Sequence, residues 1–68
     1  MNTAKQMQKD IDYLTEQENM LLSMRDGCEK YSSDYNYHQS LFGTYFRARI
    51  LATRALEQHQ QGEAKGNG

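Results

Sequence analysis

The chain has 68 residues, 8 basic and 9 acidic side chains, and a formal net charge of −1. Six Leu, two Ile, two Phe and no Val make 10 strong core formers, about 15%, below the roughly 20% at which disorder competes with folding, but without the high net charge that accompanies disorder. A chain this short buries only about 60% of its unfolded surface, so it is expected to gain stability from a partner or from self-association. The longest apolar run is Met20-Leu21-Leu22, far short of the roughly 18 residues of a membrane span. No basic stretch followed by an apolar segment opens the chain, so no secretory signal is read. The lone Cys28 can make neither an internal disulfide nor a cysteine-rich zinc site. These absences point to a cytoplasmic protein without a membrane role.

Proline is absent and β-branched residues are few. Gln, Glu, Leu, Met, Ala, Arg and Lys dominate, and these lose little rotamer freedom in a helix. Thr3-Ala4-Lys5-Gln6 has the T-x-x-Q form of a capping box. Ala4, Met7, Ile11, Leu14, Glu18, Leu21, Arg25 and Cys28 then follow the alternating 3-4 spacing of a heptad seam, with Glu18 and Arg25 interrupting it. A first helix is predicted over about 3–30. Two turn signals compete in the middle, Asp26-Gly27 and Ser32-Ser33-Asp34. The second is preferred because it leaves two helices of equal length, with the turn at 31–33.

The second helix is predicted over about 34–61, with Leu41, Tyr45, Ala48, Ala52, Ala55 and Leu56 on the face that meets the first. Gly62 is the stop signal, and 62–68 reads as a flexible tail. Residues 1–34 carry net −3 and residues 35–61 net +2. An antiparallel hairpin sets these charges opposite one another, with Asp10 level with Arg54 and Glu16 level with Arg47 and Arg49. The fold class is therefore all-α: an antiparallel two-helix hairpin, completed into a bundle by self-association or a partner.

Chemistry has little to use. His38 and His59 are 21 residues apart, about 32 Å along a helix, so they do not share a site. Cys28 can approach His38 across the turn, the minimum for an activated thiol, but a small apolar residue beside an exposed histidine is much the commoner reading. No phosphate loop, H-E-x-x-H or calcium-loop pattern occurs. No catalytic, cofactor-binding or metal-ligating residue is assigned, and the protein is read as a non-enzyme that needs no cofactor.

The aromatic residues are the most informative feature. Tyr31, Tyr35, Tyr37, Phe42, Tyr45 and Phe46 are six of the seven, within 16 residues. Phe42, Phe46 and Ile50 form a second apolar stripe at i, i+4, i+8, which a two-helix hairpin does not cover. Tyr35, Tyr37, Phe42, Phe46 and Ile50 are the candidate partner-binding residues of a small adaptor, co-chaperone or inhibitor. The alternative is an RNA-binding homodimeric four-helix bundle using Arg47, Arg49, Arg54 and the tyrosines of the turn region. A pI near 6.0 disfavours nucleic acid, whose binding rests largely on neutralising phosphates.

In size and plan, with a long polar helix, a turn through Gly27 to Asp34, and a second helix opening on Tyr35-Asn36-Tyr37-His38-Gln39, the chain resembles the small helical-hairpin co-chaperones of bacterial type III secretion. That resemblance implies a cytoplasmic protein that helps hold needle subunits soluble. It assigns no functional residue.

Overall fold

The computed structural model describes residues 3–67, with side chains to residue 62. It contains two helices and no strand among those residues: α1, Thr3–Asp26, and α2, Ser33–Asn67. They are 24 and 35 residues long and pack against each other as a hairpin measuring 54 × 15 × 13 Å.

Both turn signals are used. α1 stops at Asp26, four residues before the expected end, because Asp and Gly are poor helix formers and the chain tightens there. The Gly27 N–H still reaches the Ser23 carbonyl at 3.1 Å, but Cys28 N–H bonds one residue closer, to Arg25 O at 3.0 Å. The connection is thus residues 27–32 rather than 31–33. Its left-handed residue is Tyr31, at φ 65°, and not a glycine. Asn36 Nδ2 lies 3.5 Å from the Tyr31 carbonyl across this bend, and the Tyr31 ring meets Tyr35 edge-on at 5.8 Å. Ser32 caps α2: its Oγ accepts from Tyr35 N–H at 3.2 Å, which satisfies one of the orphan donors of the first turn. Asp34 adds a negative charge to that turn, where the helix dipole favours it.

Two further expectations are revised. Gln6 does not close a capping box on Thr3; its Nε2 donates forward to Asp10 at 3.1 Å. Nor does α2 end at Gly62, which has no positive φ. Glu63, Ala64 and Lys65 are favourable helix residues that offset the glycines, each of which costs about 1 kcal/mol. The helix continues through the expected tail to Asn67, and Gly68 lies outside the described residues.

The seam of α1 is the one read from the sequence. Ala4, Met7, Ile11, Leu14, Glu18, Leu21, Arg25 and Cys28 are all buried or half-buried. On α2 the buried and half-buried residues that keep the same 3-4 spacing are Tyr35, His38, Phe42, Tyr45, Arg49, Ala52, Leu56 and His59. The core is thin. Leu21 at 8% and Leu56 at 7% exposure are the buried apolar residues among those described. The accessible surface is 5214 Å², about a fifth above the roughly 4,400 Å² of a compact monomer of this mass.

With so little core, local signals matter. Ser32→Ala is expected to cost about 1 kcal/mol, while Ser33→Ala, one residue inside the helix, stays within about 0.5 kcal/mol. Urea midpoints measured at one fixed protein concentration check the difference, and equal losses would remove Ser32 as the cap.

Candidate functional site: a closed flank and an open flank

Among the described residues Glu18 is the most buried polar one, 5% exposed, in the middle of the α1 seam. A carboxylate there, unpaired, costs several kcal/mol. Arg49 meets it across the hairpin, Nε donating to Oε2, while the guanidinium lies 5.3 Å from the Phe46 ring centroid. Phe46 in turn stacks on Phe42 at 5.9 Å. Nearer the turn Arg25 does similar work. It donates from Nη1 to Gln39 Oε1 at 2.6 Å, pairs with Asp26 at 2.9 Å, and covers the Tyr35 ring at 5.5 Å.

These contacts explain why the α2 seam differs from the expected face of Leu41, Tyr45, Ala48, Ala52, Ala55 and Leu56. Turning α2 to bury Leu41, Ala48 and Ala55 fully would gain one large side chain, about 1.5–3 kcal/mol. It would move Phe42 out, which forfeits about as much, and strand the Glu18 carboxylate, about 2–3 kcal/mol for a pair whose arginine is partly hydrated. The pair wins. Leu41 and Ala48 are left half-buried beside the seam and Ala55 is exposed.

The charge pairing is corrected in the same way. Glu18 meets Arg49, Cys28 meets His38 and Arg25 meets Gln39, so level residues have numbers summing to 64–67. Asp10 and Arg54 are level, as are Glu16 and Arg47 to within a turn, yet among the described residues the ion pair that crosses the hairpin is Glu18–Arg49. All four of those other charges sit away from the α1–α2 seam and are exposed.

Two flanks border the seam. On each helix one flank follows the second residue of each heptad pair: Leu22 on α1, and Gln39, Phe46 and Thr53 on α2. The other precedes the first: Asp10, Gln17 and Met24 on α1, and Leu41, Ala48 and Ala55 on α2. The local two-fold relating antiparallel helices stands normal to the hairpin plane, so like flanks share one side. The first flank is closed by the Arg49–Glu18–Phe46 and Arg25–Gln39–Tyr35 contacts. The second carries Tyr13, Met20, Met24, Tyr37 and Leu51, five of the seven large apolar side chains left exposed among the described residues. Leu51 is 65% exposed.

The candidate residues therefore divide. Phe42 and Tyr35 hold seam positions and are half-buried, and Ile50 is half-buried on the closed side. Phe46 is 39% exposed, with Arg49 over its ring. Tyr37 belongs to the open flank. Of the arginines considered for nucleic acid, Arg49 is engaged by Glu18, and Arg47 and Arg54 are exposed. Tyr13, Met20, Met24 and Leu51 were not among the expected partner-binding residues. The signal was present as a second 3-4 series on each helix, Tyr13, Gln17, Met20, Met24 and Tyr37, Leu41, Thr44, Ala48, Leu51, Ala55.

The Cys28–His38 approach is real but not poised for thiol activation. Sγ lies 3.9 Å from Nδ1. That nitrogen is also 2.7 Å from the Asp34 carbonyl, an acceptor only, so it carries a proton and is not a free base. The thiol itself points to Met24 O at 3.2 Å. Among the described residues no three His, Cys, Asp or Glu side chains converge, no enclosed cavity is found, and no helix is long and apolar enough to cross a membrane. Compared with family models, curated proteins and solved structures, the chain matches none.

Removing one member of the seam ion pair should be worse than removing both. Glu18→Ala is expected to cost about 2–3 kcal/mol, the Arg49 side of the pair being partly hydrated, whereas Glu18→Leu with Arg49→Leu is expected to fall within about 1 kcal/mol of wild type or to gain. Denaturant unfolding of the three proteins measures this, and a double variant as weak as the single one would assign the cost to lost packing instead.

Proposed function

We propose that this chain is a non-enzymatic protein-interaction module, of the adaptor, co-chaperone or inhibitor kind, and that its docking surface is the open flank of the hairpin. The observation that supports this reading is the gathering of Tyr13, Met20, Met24, Tyr37 and Leu51 on one side of a molecule with almost no buried core. Isolated exposed apolar side chains need no explanation, but a contiguous face of them marks an interaction surface. Methionine and tyrosine suit that role: the first adapts to irregular neighbours, and the second presents apolar area at low entropic cost. The unpaired, half-buried Cys28 fits a reducing, cytoplasmic setting. On this reading the closed flank, with Phe42, Phe46 and Ile50, serves mainly to hold the hairpin together.

The test changes one residue on each flank. With full-length protein crosslinked in its native host, Leu51→Glu is expected to keep wild-type helix content by circular dichroism and to reduce capture of its protein partner, copy or otherwise, at least tenfold. Phe46→Ala is expected to keep that capture and instead lower the unfolding midpoint. The opposite pattern, capture lost with Phe46→Ala and kept with Leu51→Glu, would move the docking surface to the closed flank.

A further inference from the structure

Resting on that reading of the open flank, we infer that its occupant is a second copy of this chain, packed face to face with both turns at the same end of a four-helix bundle. Three observations select this arrangement.

The first is size. The α1 track is large, with Tyr13, Met20 and Met24, whereas the α2 track mixes Tyr37, Leu41 and Leu51 with the small Thr44, Ala48 and Ala55, and its middle is small. In the hairpin's own register, Met20 lies level with the Thr44–Ala48 interval and Tyr13 with Leu51–Ala55. A two-fold axis along the bundle sets α1 of one copy antiparallel to α2 of the other, so Met20 meets the small Thr44 and Ala48, while Tyr13 packs beside Leu51 and Ala55 and Met24 beside Leu41. A two-fold axis across the bundle puts the turns at opposite ends and sets α1 on α1 and α2 on α2. Tyr13, Met20 and Met24 of the two α1 helices then crowd one another, and the small middle of α2 has no large side chain from α1 to fill it.

The second is charge. Residues 1–34 are net −3 and residues 35–61 net +2, so like helices repel. In the same-end arrangement Glu16, on the outer edge of α1, comes beside Arg47 of the other copy, and Asp10 comes beside Arg54, offsetting Lys9 on the same edge. These are the charges that are level within one hairpin and do not meet there. The second interface has the same heptad geometry as the first, and its flanking positions are the ones that pair charges across antiparallel helices.

The third is area. The open face runs the length of α1, about 36 Å, and spans two helices of about 10 Å each. Its footprint is roughly 700 Å² per copy, close to the roughly 800 Å² per partner of a standard stable interface. It would cover the flank that the hairpin's own contacts leave open.

Cys28, the chain's one cysteine, reports the orientation, because it sits beside the turn of a molecule 54 Å long. Sedimentation equilibrium of the full chain should give a dimer, and Leu51→Glu should weaken it at least tenfold. Glu16→Arg should also weaken it, and adding Arg47→Glu should restore at least half of the loss. That rescue distinguishes a broken interface from a misfolded variant. Spin labels on Cys28, or on a Ser33→Cys change in a Cys28→Ser background, should lie within about 30 Å across the dimer, since two antiparallel helix pairs with turns together are only about 20 Å across. A label distance beyond about 40 Å would overturn the arrangement. A wild-type chain that stays monomeric at several hundred micromolar would overturn the second copy as occupant. If Leu51→Glu still abolished capture of a different protein, the reading of the open flank as a docking surface would survive; if it abolished nothing, both would fall.

Discussion

The ion pair between Glu18 and Arg49 is the constraint on which the rest of this hairpin depends. A carboxylate in the middle of an otherwise apolar seam is a poor way to gain stability, since a well-packed leucine in each place would do as well or better. What the pair supplies is selection. This rotation and register of α2 bring Arg49 to Glu18. That rotation carries Phe42 into the seam, lays the Arg49 guanidinium against Phe46 and leaves Leu41 and Ala48 at the border. A single buried polar contact fixing register is the best-attested use of such groups in helical assemblies.

The same selection leaves the molecule two-sided. Arginine closes one flank twice, through Arg49 to Glu18 and through Arg25 to Gln39 and over Tyr35. The other flank carries most of the exposed large apolar side chains among the described residues. Burial explains why this matters for function. With Leu21 and Leu56 as the buried apolar residues among those described, a chain of this size is near the limit at which packing offsets chain entropy. The proposed docking face is where additional burial would come from, so binding and stability are coupled by mass action.

Much of the fold was legible in the sequence. The 3-4 series from Ala4 to Cys28 runs through good helix formers with no proline, and each member is buried or half-buried as spaced. The turn was legible in two pieces, and the choice between them was unnecessary: Asp26-Gly27 ends one helix and Ser32 begins the next. The α2 seam was misread because a wheel built on apolar residues treats arginine as surface. The clue lay in α1, where Glu18 interrupts the seam and calls for a cation near residues 46–49. Arg49 is the one there that shares 3-4 spacing with Tyr45 and Ala52. The open flank was harder to see because Asp10, Gln17 and Thr44 dilute it, and because four methionines within the first 24 residues resemble filler. It becomes a surface only when antiparallel pairing sets the tracks of both helices side by side.

The account's central claim is that one hairpin is incomplete and that a second copy completes it. The thermal unfolding midpoint of the unmodified chain, followed by circular dichroism across a hundredfold range of protein concentration, tests this most directly. Linked dimerisation and folding require the midpoint to rise with concentration, by about 5 °C or more over that range for a domain of this size. A midpoint that does not move, with full helix content at the lowest concentration, would show that the hairpin is stable alone and contradict the account.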